Sequence, residues 1–185
     1  MPDLSALAAL LLSLSELHHD LGQTYAQLAA ALNPTGVVGA DALALARAIQ
    51  GEEAGRFGDR REELGELIAH TALNRWDKPW WREIDGAPCT FEERVEYDWH
   101  GAALVDEEDL EPWAIRVAYR VMEARREGGE DLARGALFAM GLEDLQRHDW
   151  TEAAHQVLVR VVAGEDPLVQ FWFMSGDPAG DQATQ

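Results

Sequence analysis

Two adjacent carboxylates, Glu52 and Glu53, stand in the stretch IQGEEAG, where a helical pattern runs out between Gly51 and Gly55. A carboxylate in the last turn of a helix meets the negative end of the helix dipole, which favours its neutral form. Gly51 weakens the helix further. Stability alone gives no reason for two acids at this place, and local rules broken at one spot mark a candidate working site. The chemistry that suits such an acid is proton delivery. An acid of this kind gives a proton to a leaving group, and a carboxylic acid does so near neutral pH only where its surroundings keep the proton on. Burial among apolar groups and a neighbouring negative charge both act in that sense. A two-carboxylate hydrolysis would need a second acid about 5–9 Å away. With 34 acidic residues in the chain, the sequence does not single one out.

Other constellations are poorer. His148 and His155 lie two helical turns apart, too far for one metal, and the adjacent His18 and His19 point about 100° apart on a helix. His70 lies beside the apolar face of a helix and reads as a packed histidine. Cys89 is the only cysteine, so neither an intrachain disulfide nor a thiolate metal site is available. No Gly-rich phosphate loop and no Ser-His-Asp spacing stands out. The expectation is an activity with no metal and no cofactor.

The elements that must position Glu52 follow from periodicity. Asp41 is expected to cap a helix over 42–53 that buries Leu43, either Ala46 or the stem of Arg47, and Ile49. Asp59 and Glu62 have capping-box spacing for a second helix over 60–74, with Leu64, Leu67, Ile68, Thr71 and Ala72 on one face. Two helices joined by a short turn would hold Glu52 at the lip of whatever they enclose. Residues 76–110 lose their periodicity and read as a long irregular stretch with a short hairpin near 89–93. Its aromatic density argues against disorder. Aromatic faces suit the apolar C–H faces of sugar rings. Trp76 and at least one of Trp80 and Trp81 are assigned to the core, and Phe91, Trp99 and His100 to a cleft.

Pro112 opens a helix with Trp113, Val117, Val121 and Ala124 inside, ended by Gly128-Gly129. Residues 143–145 suggest a turn of helix. Asp149 or Thr151 is expected to cap a final helix burying Ala154, Val157, Leu158, Val161 and Val162. Residues 168–174 read as a strand, and 175–185 as a solvated tail. Ahead of all this, Leu4, Leu7, Leu11, Leu14 and Leu21 recur at helical spacing, and Tyr25, Leu28 and Leu32 continue a second helix until Asn33-Pro34. This hairpin, 1–34, either packs on the main domain as extra core or docks a second copy or another partner. Residues 35–40 read as a linker.

The pattern I-x-G-E-x-x-G on Ile49, Gly51, Glu52 and Gly55 is followed by an apolar helix with Gly65, Ile68 and Ala69 that ends in Leu73, Asn74 and Arg75. This combination resembles the SleB-type cell-wall hydrolases, the spore-cortex-lytic enzymes and their phage and bacterial relatives. Asp131, Gly135, Ala136, Leu137 and Phe138 fit a later Asp-Pro-Thr-x-Gly-Ala-like segment and its following aromatic. Leu132 and Ala133 replace the typical Pro and Thr, which removes that threonine hydroxyl. Gln170 is nearest to a place that usually carries a His. The resemblance spans about 42–173.

It implies a mainly α, α+β fold: a lysozyme-like helical domain over 41–174 with a small β or irregular lobe, to which the hairpin is an addition. It implies Glu52, not Glu53, as the catalytic acid, and Phe138 joins Phe91, Trp99 and His100 as candidate substrate contacts. It also implies a lytic-transglycosylase-like route on the MurNAc-GlcNAc bond of peptidoglycan, in which one Glu is first acid and then base. The alternative is a phage or virion assembly protein on a catalytically reduced hydrolase fold.

Composition bounds these readings. The chain has 185 residues, 47% of them hydrophobic, enough for one domain with a real core. Its formal net charge of −19 repels nucleic acid, which sets that class of partner aside. The same charge repels anionic lipid headgroups and wall polymers at low salt. The apolar run at 4–14 is too short to span a bilayer. Asp3 precedes it, and no Lys or Arg appears before Arg47, so neither membrane insertion nor a secretion signal is expected. A wall enzyme of this kind would be made in the cytoplasm and act as a phage lysin or a virion component. Its partners would be peptidoglycan glycan strands, and a second copy or a virion protein met through the N-terminal Leu helix.

Overall fold

The computed structural model describes residues 37–53, 55–141, 156–163, 165 and 169–175. The expected hairpin 1–34 with His18 and His19, the helical turn 143–145, the start of the expected last helix with His148 and His155, and the tail 176–185 lie outside the described residues.

Among the described residues are four α-helices and two small sheets, a mainly helical α+β arrangement. Helix α1 is Val37–Glu53, α2 is Arg61–Trp76, α3 is Phe91–Asp98 and α4 is Pro112–Arg126. Strands β1 (Glu83–Ile84) and β2 (Ala87–Pro88) form a hairpin. Strands β3 (Phe138–Gly141), β4 (Val157–Val162) and β5 (Gln170–Met174) form an antiparallel sheet in the order β3-β5-β4.

Helix α2 is the central element. The expected face Leu64, Leu67, Ile68, Thr71 and Ala72 is buried, and so are Gly65, Ala69, His70, Asn74 and Arg75. Helices α1 and α4 pack on it, with the sheet beside it. Gly65 is where α1 and α4 close in, since a Cβ there would lie 2.8 Å from the Ile49 side chain and 3.3 Å from Trp113. Each fully buried Leu or Ile of this core stabilises the fold by about 1.5–3 kcal/mol. Helix α4 follows its expectation: Pro112 stands in its first turn, Trp113, Val117 and Val121 are buried, and Gly128 beyond its end has φ 77°.

Several expected boundaries are corrected. Helix α1 begins at Val37, so 37–40 is not linker, and Asp41 lies inside the helix instead of capping it. It is half-buried there, and burial first, then the Glu92 charge, raises its pKa. Asp59 does not cap α2. Arg60 is the N-cap residue without a side-chain bond, and Glu62 faces Arg116 and Arg120 at 3.3 Å each.

The expected final helix is strand β4 across Val157–Val162. Its valines are β-branched and favour a pleated surface, and β5 supplies the partner, with Val161 opposite Phe171.

Residues 76–110 are more regular than expected. The hairpin is at 83–88, turned by Asp85 and Gly86 at φ 53° and 79°, the backbone an Asp-Gly turn favours. Residues 91–98 form α3, started by a reciprocal capping box between Thr90 and Glu93. Thr90→Ala removes one arm of that box and is expected to cost about 1 kcal/mol. Thermal unfolding should show a fall of about 2–4 °C.

Candidate active site

The end of α1 is built on contact between two glycines. A Cβ on Gly51 would lie 2.0 Å from the Gly101 carbonyl oxygen, and a Cβ on Gly101 would lie 2.5 Å from the Gly51 carbonyl carbon. The glycine that weakens α1 in isolation is therefore what lets the 99–104 turn lie against its backbone. Two side chains of α1 hold the 105–111 segment that follows it. Arg47 Nε donates to Val105 O at 2.8 Å, and Gln50 accepts from Glu111 N at 2.7 Å while donating to Asp109 O at 3.0 Å.

Gly101 N–H donates to Glu52 Oε1 at 3.0 Å. Among the described residues this is the one hydrogen bond to the Glu52 carboxylate, and the side chain is half-buried. Glu53 behaves differently. It is 4% exposed, and its two oxygens accept from Gly55 N at 2.7 Å and Phe57 N at 2.9 Å. Glu53 thus closes the turn after α1, where Gly55 has φ 72°. The acidic pair divides into a loop cap and a carboxylate with accepting capacity to spare.

The last turn of α2 carries a polar network. Arg75, 9% exposed, donates through Nε to Leu137 O and approaches Asp98 Oδ2 at 3.1 Å. Its guanidinium lies 5.1–5.4 Å from the ring centres of Trp99, Trp81 and Phe138. Burial is the largest influence on Arg75 and lowers its pKa, while Asp98 first and Glu52 more weakly support its charge. Asn74 donates to Asp131 Oδ2 at 2.9 Å and to Ala136 O at 3.2 Å. Asp131 in turn accepts from Ala133 N and Gly135 N at 3.0 and 2.6 Å. The turn it shapes carries Arg134 and Gly135 at φ 55° and 79°.

His70 is packed, 3% exposed, with Nδ1 3.4 Å from Asp131 Oδ1 but not aligned as a hydrogen bond. Burial lowers its pKa below the usual histidine range, against the Asp131 charge and with that of Arg125. Its folded pKa lies below its unfolded one, so the unfolded chain binds the proton first on acidification. Stability from this group is complete above the ordinary histidine range and falls as pH falls through it, by up to about 1.4 kcal/mol per pH unit. Urea midpoints measured at about pH 7 and pH 5.5 should therefore separate more for the native chain than for His70→Gln.

The candidate substrate contacts divide. Phe91 and Trp99 are 5% and 4% exposed. They are core residues and not cleft walls, because Phe91 packs edge-on to Trp76 and Trp99 lies on Arg75. His100 is exposed and adjoins Gly101. Phe138 is half-buried, edge-on to Trp81 at 5.9 Å. Trp81 is buried and Trp76 half-buried, while Trp80 and Tyr97, 45% and 53% exposed, are the open aromatic surfaces of this lobe. No periodicity separates Trp80 from Trp81, because both stand in one turn of 3₁₀ helix, Pro79–Arg82.

A cleft of about 980 Å³ opens where the end of α1, the start of α2 and the 104–111 loop meet. On α1 it is lined by Gln50, Gly51 and Glu53, and Glu52 is not among its walls. At about 100° per residue, 50, 51 and 53 share a face and 52 lies on the other side. Among the described residues no group of His, Cys, Asp and Glu is arranged to hold a metal, and no helix is long and apolar enough to cross a membrane. No protein-family model, no curated protein and no solved structure matches the chain.

Proposed function

We propose that this chain is a peptidoglycan-cleaving glycosidase of the SleB type, lysozyme-like in fold, with Glu52 as general acid and base. The observation that carries this reading is the Glu52 side chain. It is half-buried, aimed by one bond from Gly101 to Oε1, and its Oε2 has no hydrogen-bond partner among the described residues, whereas both oxygens of Glu53 are engaged by backbone N–H groups. The residues that carry the resemblance support it further. Gly51 makes the backbone close approach beside Glu52, while Asn74 bonds Asp131 and Arg75 bonds Leu137 and pairs with Asp98 at the end of α2.

In the reaction, Glu52 gives its proton to the oxygen bridging MurNAc and GlcNAc, and the bond from the MurNAc anomeric carbon breaks. The carboxylate then takes the proton of the 6-hydroxyl of the same MurNAc, whose oxygen closes on the anomeric carbon. The product is a 1,6-anhydro end, and Glu52 is restored in its acid form. The site of action is the wall, reached as a phage lysin or a virion component.

The test is digestion of purified sacculi followed by mass spectrometry of the fragments, in which anhydro-muropeptides are expected. A second reading, an assembly protein on a catalytically reduced hydrolase fold, is favoured by one observation: the 980 Å³ cleft lies on the face of α1 away from Glu52. Intact sacculi after incubation with the folded protein would select it.

A further inference from the structure

Arg75 stands in a place where charge is costly. Burying a guanidinium carries a penalty of several kcal/mol, and an apolar side chain of similar volume is often as stable or more so. Yet Arg75 is 9% exposed and enclosed by Trp81, Trp99 and Phe138. Its contacts lead to Glu52. Nη1 meets Asp98 at 3.1 Å, and its plane lies on Trp99, the next residue. Two residues further on, Gly101 donates the bond that aims the Glu52 carboxylate. Arg94 also holds Asp98, through Nη2 to Oδ1 at 2.8 Å and Nε to Oδ2 at 3.0 Å, so the two arginines share Oδ2 and the carboxylate is fixed at both oxygens.

We propose that Arg75 is the positioning residue of the site: it pins the 98–101 turn from below, so that Gly101 orients Glu52, and it gives the Glu52 carboxylate a fixed positive counter-charge once its proton has gone. This rests on Glu52 being the acid and base. A residue that is acid in one step and base in the next must be held steady in both forms.

The planar fork and the charge are separable. Arg75→Lys keeps the charge and loses the fork, whereas Arg75→Met keeps the packed stem and loses the charge. On sacculi, Arg75→Lys is expected to lower kcat about 10-fold or more with KM little changed, as misorientation of a catalytic group does. Arg75→Met should in addition move the alkaline limb of the pH–activity profile, which reports loss of the proton-donating form, to higher pH. A purely structural Arg75 would lower the melting temperature in both variants and leave the profile and the kcat-to-KM split unmoved, which would overturn the inference.

A variant-free arm guards against misfolding of Arg75→Met. The Arg75 Nε resonance should move with pH in the native protein, and Glu52→Gln should remove part of that movement and leave the part that comes from Asp98, its ion-pair partner. An Arg75 signal that behaves identically in the native protein and in Glu52→Gln also overturns the inference, whatever the activity. Full activity in Glu52→Gln would overturn the proposed function instead, so the two failures are distinguishable.

Discussion

Glu52→Gln is expected to lower the rate of clearing of a peptidoglycan suspension by about 10²–10⁴-fold, the contribution of a positioned acid, while the melting temperature stays close to native. The substitution is close to isosteric. The amide oxygen can still accept from Gly101 N–H, so the contact that orients the side chain at 3.0 Å survives. What is lost is the proton. The neighbouring Glu53→Gln supplies the contrast. Both of its oxygens accept backbone N–H groups, the one from Phe57 buried, and an amide nitrogen in place of one of them would face a donor with a donor. That change is expected to cost about 1–3 kcal/mol of stability and to leave the folded fraction active. A Glu52→Gln protein that clears at the native rate would end the catalytic reading. The reverse pattern, stability lost at 52 and activity at 53, would exchange the two roles.

Gly51→Ala is expected to be the most damaging of the single-methyl changes in α1. Helix propensity alone predicts a gain of up to about 1 kcal/mol, since Ala is the better helix former. The added Cβ would lie 2.0 and 2.2 Å from the carbonyl oxygen and carbon of Gly101. Neither neighbour is a flexible side chain that could turn aside, so the turn itself must move. The expected cost is at or above the upper end of the overpacking range, about 3 kcal/mol, a fall of about 6–12 °C in a domain of this size. Gly39 in the same helix is the control. A Cβ there meets nothing within 4 Å, so Gly39→Ala should stabilise by about 0.4–1 kcal/mol. Calorimetry of the two variants decides it. Equal and small effects would mean that α1 and the 99–104 turn do not press together.

Much of the architecture was legible in residue types and spacing. Pro112, the Trp113-Val117-Val121 face and Gly128 announced α4, and the QFWFM run announced β5, because a 15-residue amphipathic helix and a short aromatic strand carry strong local signals. Two elements were misread for identifiable reasons. Helix α3 is only 8 residues long, too short for its periodicity to show, and the Thr90–Glu93 capping-box spacing that starts it was read as part of a hairpin. Strand β4 offered valines at spacings that also fit a helix, and β5, the partner that decides between them, stands further along the chain.

The sequence by itself determined that two acids close α1 beside a glycine, that His70 is packed, and that Asn74 and Arg75 stand in the last turn of a helix. These depend on neighbours within a few residues, whose effects propensity, capping and periodicity report. Only the tertiary structure decided what each does: Glu53 caps a loop while Glu52 receives Gly101 from 49 residues away, and Arg75 reaches Asp98 and Leu137. It also turned Phe91 and Trp99 inward and left Trp80 and Tyr97 exposed. The physical reason is that burial and hydrogen-bond partners are properties of packed surfaces. Two chain segments that meet through a pair of glycines leave no periodic trace of their meeting in either segment.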